Sequence, residues 1–182
     1  MLLRIFDIFF SFIGLVFLSP ILFVIFFIGY FDTGSPLFIQ KRVGRYKKFF
    51  YLIKFRTMKL DTENVASHLA PSKNITRFGK FLRKTKIDEL PQLINVFFGT
   101  MSFVGPRPNL PNQYELIDAR DCLDIYESRP GITGLAQIQN IDMSTPNLLA
   151  KTDKEMIKSL NTALYFKYII KTVLGSGQGD AI

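Results

Sequence analysis

The sequence predicts an α/β protein, mostly helical with one short β-hairpin, joined to an N-terminal membrane helix. Three observations carry this reading. The 24 residues from Ile8 to Phe31 include no charged side chain. A weakly alternating stretch rich in β-formers surrounds Gly44 between Pro36 and Met58. Helical apolar spacing, punctuated by Pro and Gly, recurs through the remainder. With 182 residues and 48% apolar composition, including 19 Phe, the chain has material for one packed domain and little more. The expected division is a membrane segment over 1–32 and a single domain over 33–182.

At 1.5 Å per residue, Ile8–Phe31 would form a helix of about 36 Å, against a hydrocarbon core of about 30 Å. It is too long for the apolar part of a signal peptide, and no A-x-A-like cleavage site follows. A core helix apolar on all sides would need a larger protein around it. Ser19-Pro20 lies at the midpoint. The Pro removes one backbone hydrogen bond, and the neighbouring Ser hydroxyl can satisfy a freed group. Two geometries follow: a kinked spanning helix, which the residues alone favour, or a helix–break–helix hairpin returning to its side of entry. In either case the basic block beyond it places the domain on the cytoplasmic side.

That block holds most of the charge. The chain carries a net +8, yet Lys41–Lys86 alone hold fourteen basic residues against Asp61 and Glu63, a net +12. An anionic partner follows: nucleic acid, anionic lipid or a phosphorylated substrate. After the hairpin, Asp61–Asn74 is a polar loop in which His68 reads as a solvated imidazole. Residues 75–87 place Phe78, Phe81 and Leu82 among five cations, a basic amphipathic helix suited to a membrane surface. A second helix runs from Asp88 to about Phe98. A Gly- and Pro-rich loop covers Gly99–Pro111. An acidic helix follows over about Asn112–Ser128, with Cys122 read as a small buried apolar residue. Arg129-Pro-Gly-Ile-Thr-Gly leads into a short strand, and two helical stretches come after Pro146.

One Cys, one His and no Trp exclude a disulfide framework, a Cys/His zinc cluster and a catalytic site built on several thiols. No G-x-G-x-x-G or P-loop is present, which counts against dinucleotide and kinase readings. Asp88-Glu89 ends an acid-free run from Lys73 to Ile87 and precedes Leu90-Pro91. Asp88 therefore reads as an N-cap at the positive end of a helix dipole, where Arg83, Lys84 and Lys86 would also draw a phosphate. A carboxylate there can be a nucleophile, a metal ligand or a general base. An ordinary N-cap with a first-turn Glu is the commoner arrangement, so the residues alone leave the role open. Pro106 and Pro108 hold Arg107 on a stiff turn, ready for bidentate phosphate binding. Lys54, Arg56, Arg83 and Arg129 are individually weaker candidates of the same kind. Arg45–Tyr51 interleaves cations with aromatics, which can stack bases or simply line an edge strand.

Taken in order, five segments carry a resemblance: Ser19-Pro20 in the apolar helix, Lys54-Phe-Arg-Thr-Met58, Asp88-Glu-Leu-Pro-Gln-Leu-Ile-Asn-Val96, Met101-Ser-Phe-Val-Gly-Pro-Arg-Pro108 and Arg129-Pro-Gly-Ile-Thr-Gly-Leu-Ala-Gln-Ile138. Over about residues 1–140 the chain resembles the bacterial sugar transferases, specifically the small monotopic phosphoglycosyl transferases. The resemblance implies transfer of a sugar-1-phosphate from a UDP-sugar to polyprenyl (undecaprenyl) phosphate, with release of UMP. That is the first membrane step of lipid-linked glycan synthesis. It implies Asp88 as covalent nucleophile and Mg²⁺ ligand, Glu89 beside it, and Mg²⁺ as cofactor. Arg83 and the Pro-Arg-Pro turn would bind phosphate and nucleotide. It further implies a membrane helix broken at Ser19-Pro20 that re-enters, against the preference of the residues alone. The catalytic domain would then sit on the cytoplasmic face of the bacterial inner membrane, with its amphipathic helices at the interface and no nucleic-acid partner.

Three departures stand out. Thr100 replaces a frequent Asp, Leu135 replaces a frequent Trp, and the residues after Ile138 lack the usual Asn-Gly-Arg. The competing reading is a membrane-tethered basic module that binds nucleic acid or anionic lipid without catalysis. The intact Asp-Glu pair argues against a non-catalytic scaffold. The transferred sugar and the oligomeric state are left open.

Overall fold

The computed structural model describes residues 2–62 and 72–175; the His68 reading and the middle of the expected loop lie outside the described residues. The chain begins with helix α1 (Leu2–Thr33), whose length and apolarity suffice to cross a membrane, while only 11% of its most apolar stretch is buried by protein. Phe17 and Phe31 are 76% and 83% exposed. The helix runs through Ser19 and Pro20 as one element, rather than as the two helices expected from the resemblance. The Ser19 hydroxyl donates to the Val16 carbonyl at 2.7 Å, one turn back. Gly34, at φ 74°, turns the chain out of the helix.

Strands β1 (Leu37–Val43) and β2 (Phe49–Phe55) form the expected antiparallel hairpin, with Leu37 opposite Phe55 and Val43 opposite Phe49. Its connection differs from a simple glycine turn. Tyr46 and Lys47 take the left-handed conformation, while Gly44 is extended. Gly44 is needed for space, because a Cβ there would lie 2.9 Å from the Phe50 ring. On the inner face Phe50 and Leu52 pack on Val96 and Met101; Ile39, Phe49 and Tyr51 face outward.

Helix α2 (Arg77–Thr85) is shorter than the expected 75–87. Thr76 Oγ1 accepts from the Gly79 amide at 2.8 Å to start it, and Lys86, left-handed at φ 57°, ends it. A 3₁₀ turn over Ile87–Glu89 leads through Pro91 into helix α3 (Gln92–Phe98). Asp88 lies inside that turn, so it is not the N-cap expected for α3. The Leu90-Pro91 step, with αR backbone, separates turn from helix. Beyond α3, the Thr100 hydroxyl donates to the Asn95 carbonyl at 3.1 Å, so a neutral side chain closes this helix where an acid was noted as absent.

Within the expected Gly/Pro loop lies an unforeseen strand, β3 (Ser102–Val104), which pairs in parallel with β4 (Gly131–Thr133). Between them run α4 (Tyr114–Asp121) and a 3₁₀ turn at Ile125–Glu127. Left-handed Asp124 interrupts the expected helix to Ser128. Cys122 is exposed rather than buried, since the buried face of α4 is formed by Leu116 and Arg120. Short α5 (Leu135–Ile138), α6 (Pro146–Ser159) and α7 (Thr162–Val173) complete the fold. Their core joins Val104, Met156, Tyr165 and Tyr168 to Phe6 of α1 and to Leu135.

Both halves of α1 pack on the domain. Near its start, Arg4 donates to the carbonyls of Val96 and Phe97 at 2.6 and 2.9 Å. Buried Asp7 accepts from Ser102 Oγ, the Phe103 amide and Tyr165 OH at 2.9, 3.0 and 2.9 Å. Near its end, Ile25 packs with Phe55 and Leu82, and Asp32 accepts from Thr76 Oγ1 at 2.7 Å.

A buried ion pair holds the Pro106–Pro108 loop from behind. Arg120 donates to Asp153 Oδ2 at 2.7 Å, both side chains being almost fully buried. The same guanidinium donates to the Arg107 carbonyl at 2.9 Å and to Asn109 Oδ1 at 3.1 Å. Asp153→Ala would strand this cation in the interior, so it is expected to destabilise the protein by about 3 kcal/mol. Thermal unfolding of the detergent-solubilised protein checks this, and an unchanged midpoint would show that the pair adds nothing.

Candidate active site

Three stretches that are apart in sequence meet on the inner face of the hairpin. β2 contributes Lys54, the 3₁₀ turn contributes Glu89, with Asp88 buried next to it in sequence, and the loop after β3 contributes Arg107 and Pro108. Arg42, Leu52, Lys54, Glu89, Gln92 and Arg107 line a cleft whose far wall includes Gly131 and Ile132 of β4. Alternation along each strand sends Gln40, Arg42, Leu52 and Lys54 to this buried face, which is why so basic a hairpin can keep an apolar outer surface.

Across the cleft, Arg107 Nη2 donates to Glu89 Oε1 at 3.0 Å. Both are partly shielded, so the pair is screened less than one at the surface. Asp88 next to it is 3% exposed. Arg83, 9% exposed, donates through Nε to Thr57 Oγ1 at 2.8 Å, which ties α2 to the Lys54–Met58 segment behind the acid pair. Lys86 opens the turn, and its carbonyl accepts from the Glu89 amide at 3.3 Å. Burial lowers the pKa of its amine; Glu89 opposes this shift and Arg107 adds to it.

The expected site residues therefore separate into groups. Lys54, Glu89, Arg107 and Pro108 share the cleft, while Asp88 and Arg83 are buried and are not among its lining residues. Arg56 faces elsewhere: its guanidinium donates to the Ser35 and Leu37 carbonyls at 2.9 and 3.3 Å and lies over the Phe38 ring. Arg129 donates to the Gly99 carbonyl at 2.9 Å. Pro106 lines a neighbouring hollow with Tyr126 and Pro130. Ser19 and Pro20 lie in α1, remote in sequence from every cleft residue. Arg42 and Gln92 are cleft residues that the sequence reading passed over. Arg42 was one cation among fourteen, and only the hairpin register shows it to be 8% exposed, donating to the Pro108 carbonyl at 2.9 Å and to Gln40.

Among the described residues, no group of three or more His, Cys, Asp or Glu side chains gathers as a metal cage. Asp88 and Glu89 are adjacent carboxylates next to a cationic cleft. This arrangement suits an ion that takes its remaining ligands from water and phosphate, as Mg²⁺ does.

The chain is 40% identical over 148 residues to the exopolysaccharide production protein PSS of Rhizobium leguminosarum bv. phaseoli, covering 76% of this chain and 74% of that one. It is 37% identical over 155 residues to the undecaprenyl-phosphate galactose phosphotransferase of Salmonella typhimurium, covering 74% of this chain and 32% of that protein. It is 38% identical over 133 residues to the UDP-glucose:undecaprenyl-phosphate glucose-1-phosphate transferase of Xanthomonas campestris pv. campestris, covering 70% and 27%. The chain thus spans about a third of the length of several curated relatives. The family described as Bacterial sugar transferase matches residues 1–178, further than the motifs alone reach. Because that match runs from the membrane helix through α7, the chain as a whole belongs to the bacterial sugar transferase family.

Proposed function

We propose that the protein transfers a sugar-1-phosphate from a UDP-sugar to undecaprenyl or a related polyprenyl phosphate, through a covalent intermediate on Asp88. The observation that carries this reading is the meeting of Glu89, next in sequence to the buried Asp88, with Lys54, Arg42 and Arg107 at one cleft. Fixed cations at that spacing suit a diphosphate, and the reaction needs little beyond position and charge neutralisation.

In the first step an Asp88 carboxylate oxygen attacks the phosphorus that bears the sugar. The bond from that phosphorus to the bridging oxygen breaks, and UMP leaves with the electron pair. In the second step an oxygen of the polyprenyl phosphate attacks the same phosphorus and Asp88 departs as a carboxylate. One diphosphate replaces another, so the exchange is close to thermoneutral. The acyl phosphate in between is exposed to hydrolysis, and the deep burial of Asp88 keeps water from it. Glu89, bound to Arg107, orients that guanidinium toward the donor. Mg²⁺, held by Asp88 and by substrate oxygens, would neutralise charge on the diphosphate and the leaving group.

A membrane setting follows from α1. A helix crossing the bilayer would carry its first half to the far side, away from a domain that begins at residue 34. Yet Arg4 and Asp7 bind α3, β3 and α7, while Ile25 and Asp32 bind β2 and α2. This supports an uninterrupted α1 held against the domain near both of its ends, which enters the bilayer from one side, with the domain on the cytoplasmic face of the inner membrane and the cleft near the acceptor's headgroup. Phe81 on α2 and Val173 on α7 are exposed apolar side chains of the kind that suits contact with lipid.

In an assay of UMP release with polyprenyl phosphate, Asp88→Asn is expected to lose about a thousandfold or more in turnover. Chelation with EDTA should stop the wild type, and added Mg²⁺ should restore it. Near-wild-type turnover by Asp88→Asn would remove the proposed nucleophile. For the topology, a Cys placed near residue 2 should resist impermeant thiol reagents in intact cells. Labelling from outside would restore a spanning helix.

A further inference from the structure

We propose that Lys86 is a positioning residue of this site, fixed by the end of α7 and acting through Glu89. The proposal rests on the reaction proposed above. Its first support is the backbone. Lys86 sits at φ 57° and ψ 16°, a left-handed conformation that a side chain with a Cβ disfavours and glycine adopts freely. As a helix terminator alone, donating its amide to the Arg83 carbonyl at 3.1 Å, the position would favour Gly. The strain is tolerated at a residue only two positions from Asp88, in the turn that presents both carboxylates.

The side chain gives the reason. Lys86 Nζ reaches the Thr172 carbonyl at 3.4 Å, in the last turn of α7, where the negative end of the helix dipole favours a cation. The Glu89 amide donates to the Lys86 carbonyl at 3.3 Å, so the residue that carries this ammonium is also bonded into the acid-pair turn. Thr172 also bonds through its hydroxyl to Thr133, the last residue of β4. Thr133 in turn accepts from the Gly105 amide at 2.9 Å, directly before Pro106 and Arg107. The tip of α7 thus touches both walls of the cleft. Through Lys86 it reaches the acid-pair turn, and through Thr133 it reaches the strand that carries the Pro-Arg-Pro loop. The Glu89–Arg107 pair spans the gap between those walls, so its geometry depends on their separation.

The test compares Lys86→Gly, Lys86→Met and Lys86→Arg in the full chain, reading both thermal unfolding and UMP-release kinetics. Lys86→Gly is expected to melt at or above the wild-type temperature while kcat falls about tenfold, with KM for the UDP-sugar within about twofold. Lys86→Met keeps the backbone strain and the stem but loses the charge, and should show the same fall in kcat. Lys86→Arg should recover at least half of the activity. A merely structural cap would lose activity only in step with stability, and that outcome, or a Gly variant with wild-type kcat, overturns the proposal. Wild-type turnover with unaffected variants would remove the role of Lys86 and leave the reaction standing. A wild type that releases no UMP would remove both.

Discussion

A single carboxylate, Asp7, decides how the membrane segment and the domain sit together. It is 2% exposed in the second turn of an otherwise apolar helix, a position that would be costly for an unpaired charge. Three donors from β3 and α7 meet it there, with Arg4 one turn away. Each donor is itself within the domain, so α1 cannot leave without exposing all of them to an apolar surrounding. Tyr165 shares the consequence: burial and the adjacent Asp7 both push its hydroxyl pKa well up, so it stays a neutral donor. The position of the domain relative to α1 follows from this contact and from the Asp32–Thr76 contact at the other end.

The cleft repeats the same principle with opposite charge. Arg42 and Arg83 are nearly buried cations, tolerable because backbone and hydroxyl oxygens accept from them, and Lys54 is nearly buried in the same region. Arg120 and Asp153 form the neutralised version of this arrangement, one layer further in, where no ligand can reach. The rigid loop they support presents Arg107. For the proposed reaction, cations already fixed and partly desolvated leave little reorganisation when a diphosphate arrives.

The sequence made some of this legible and hid the rest. Asp88-Glu89 and Arg107 stood out because acids were scarce in a basic run and because two prolines stiffened one arginine. The hairpin stood out because β-formers flanked a glycine. Arg56 and Arg129 looked the same as Lys54 and Arg83, because the sign of a charge says nothing about which carbonyl or carboxylate it will face. Arg42 and Gln92 carried no local signal at all. Strand β3 hid among glycines and prolines because three residues pairing in parallel with a distant strand leave no periodic trace. Asp88 was misread as a helix cap because Leu90-Pro91 permits either a helix start or a preceding 3₁₀ turn, and packing on β2 selected the turn.

Composition and order along the chain were enough to determine a membrane-bound, basic, mostly helical protein with a short hairpin, and the motif order was enough to determine its family. These properties are local or additive: apolar length, charge density and the succession of short segments. Which cations enter the cleft, how both halves of α1 fold back onto the domain, and how the tip of α7 comes to stand beside Lys86 were decided only by tertiary structure. Each depends on contacts between residues scores of positions apart, and such contacts are set by packing geometry that no single segment encodes.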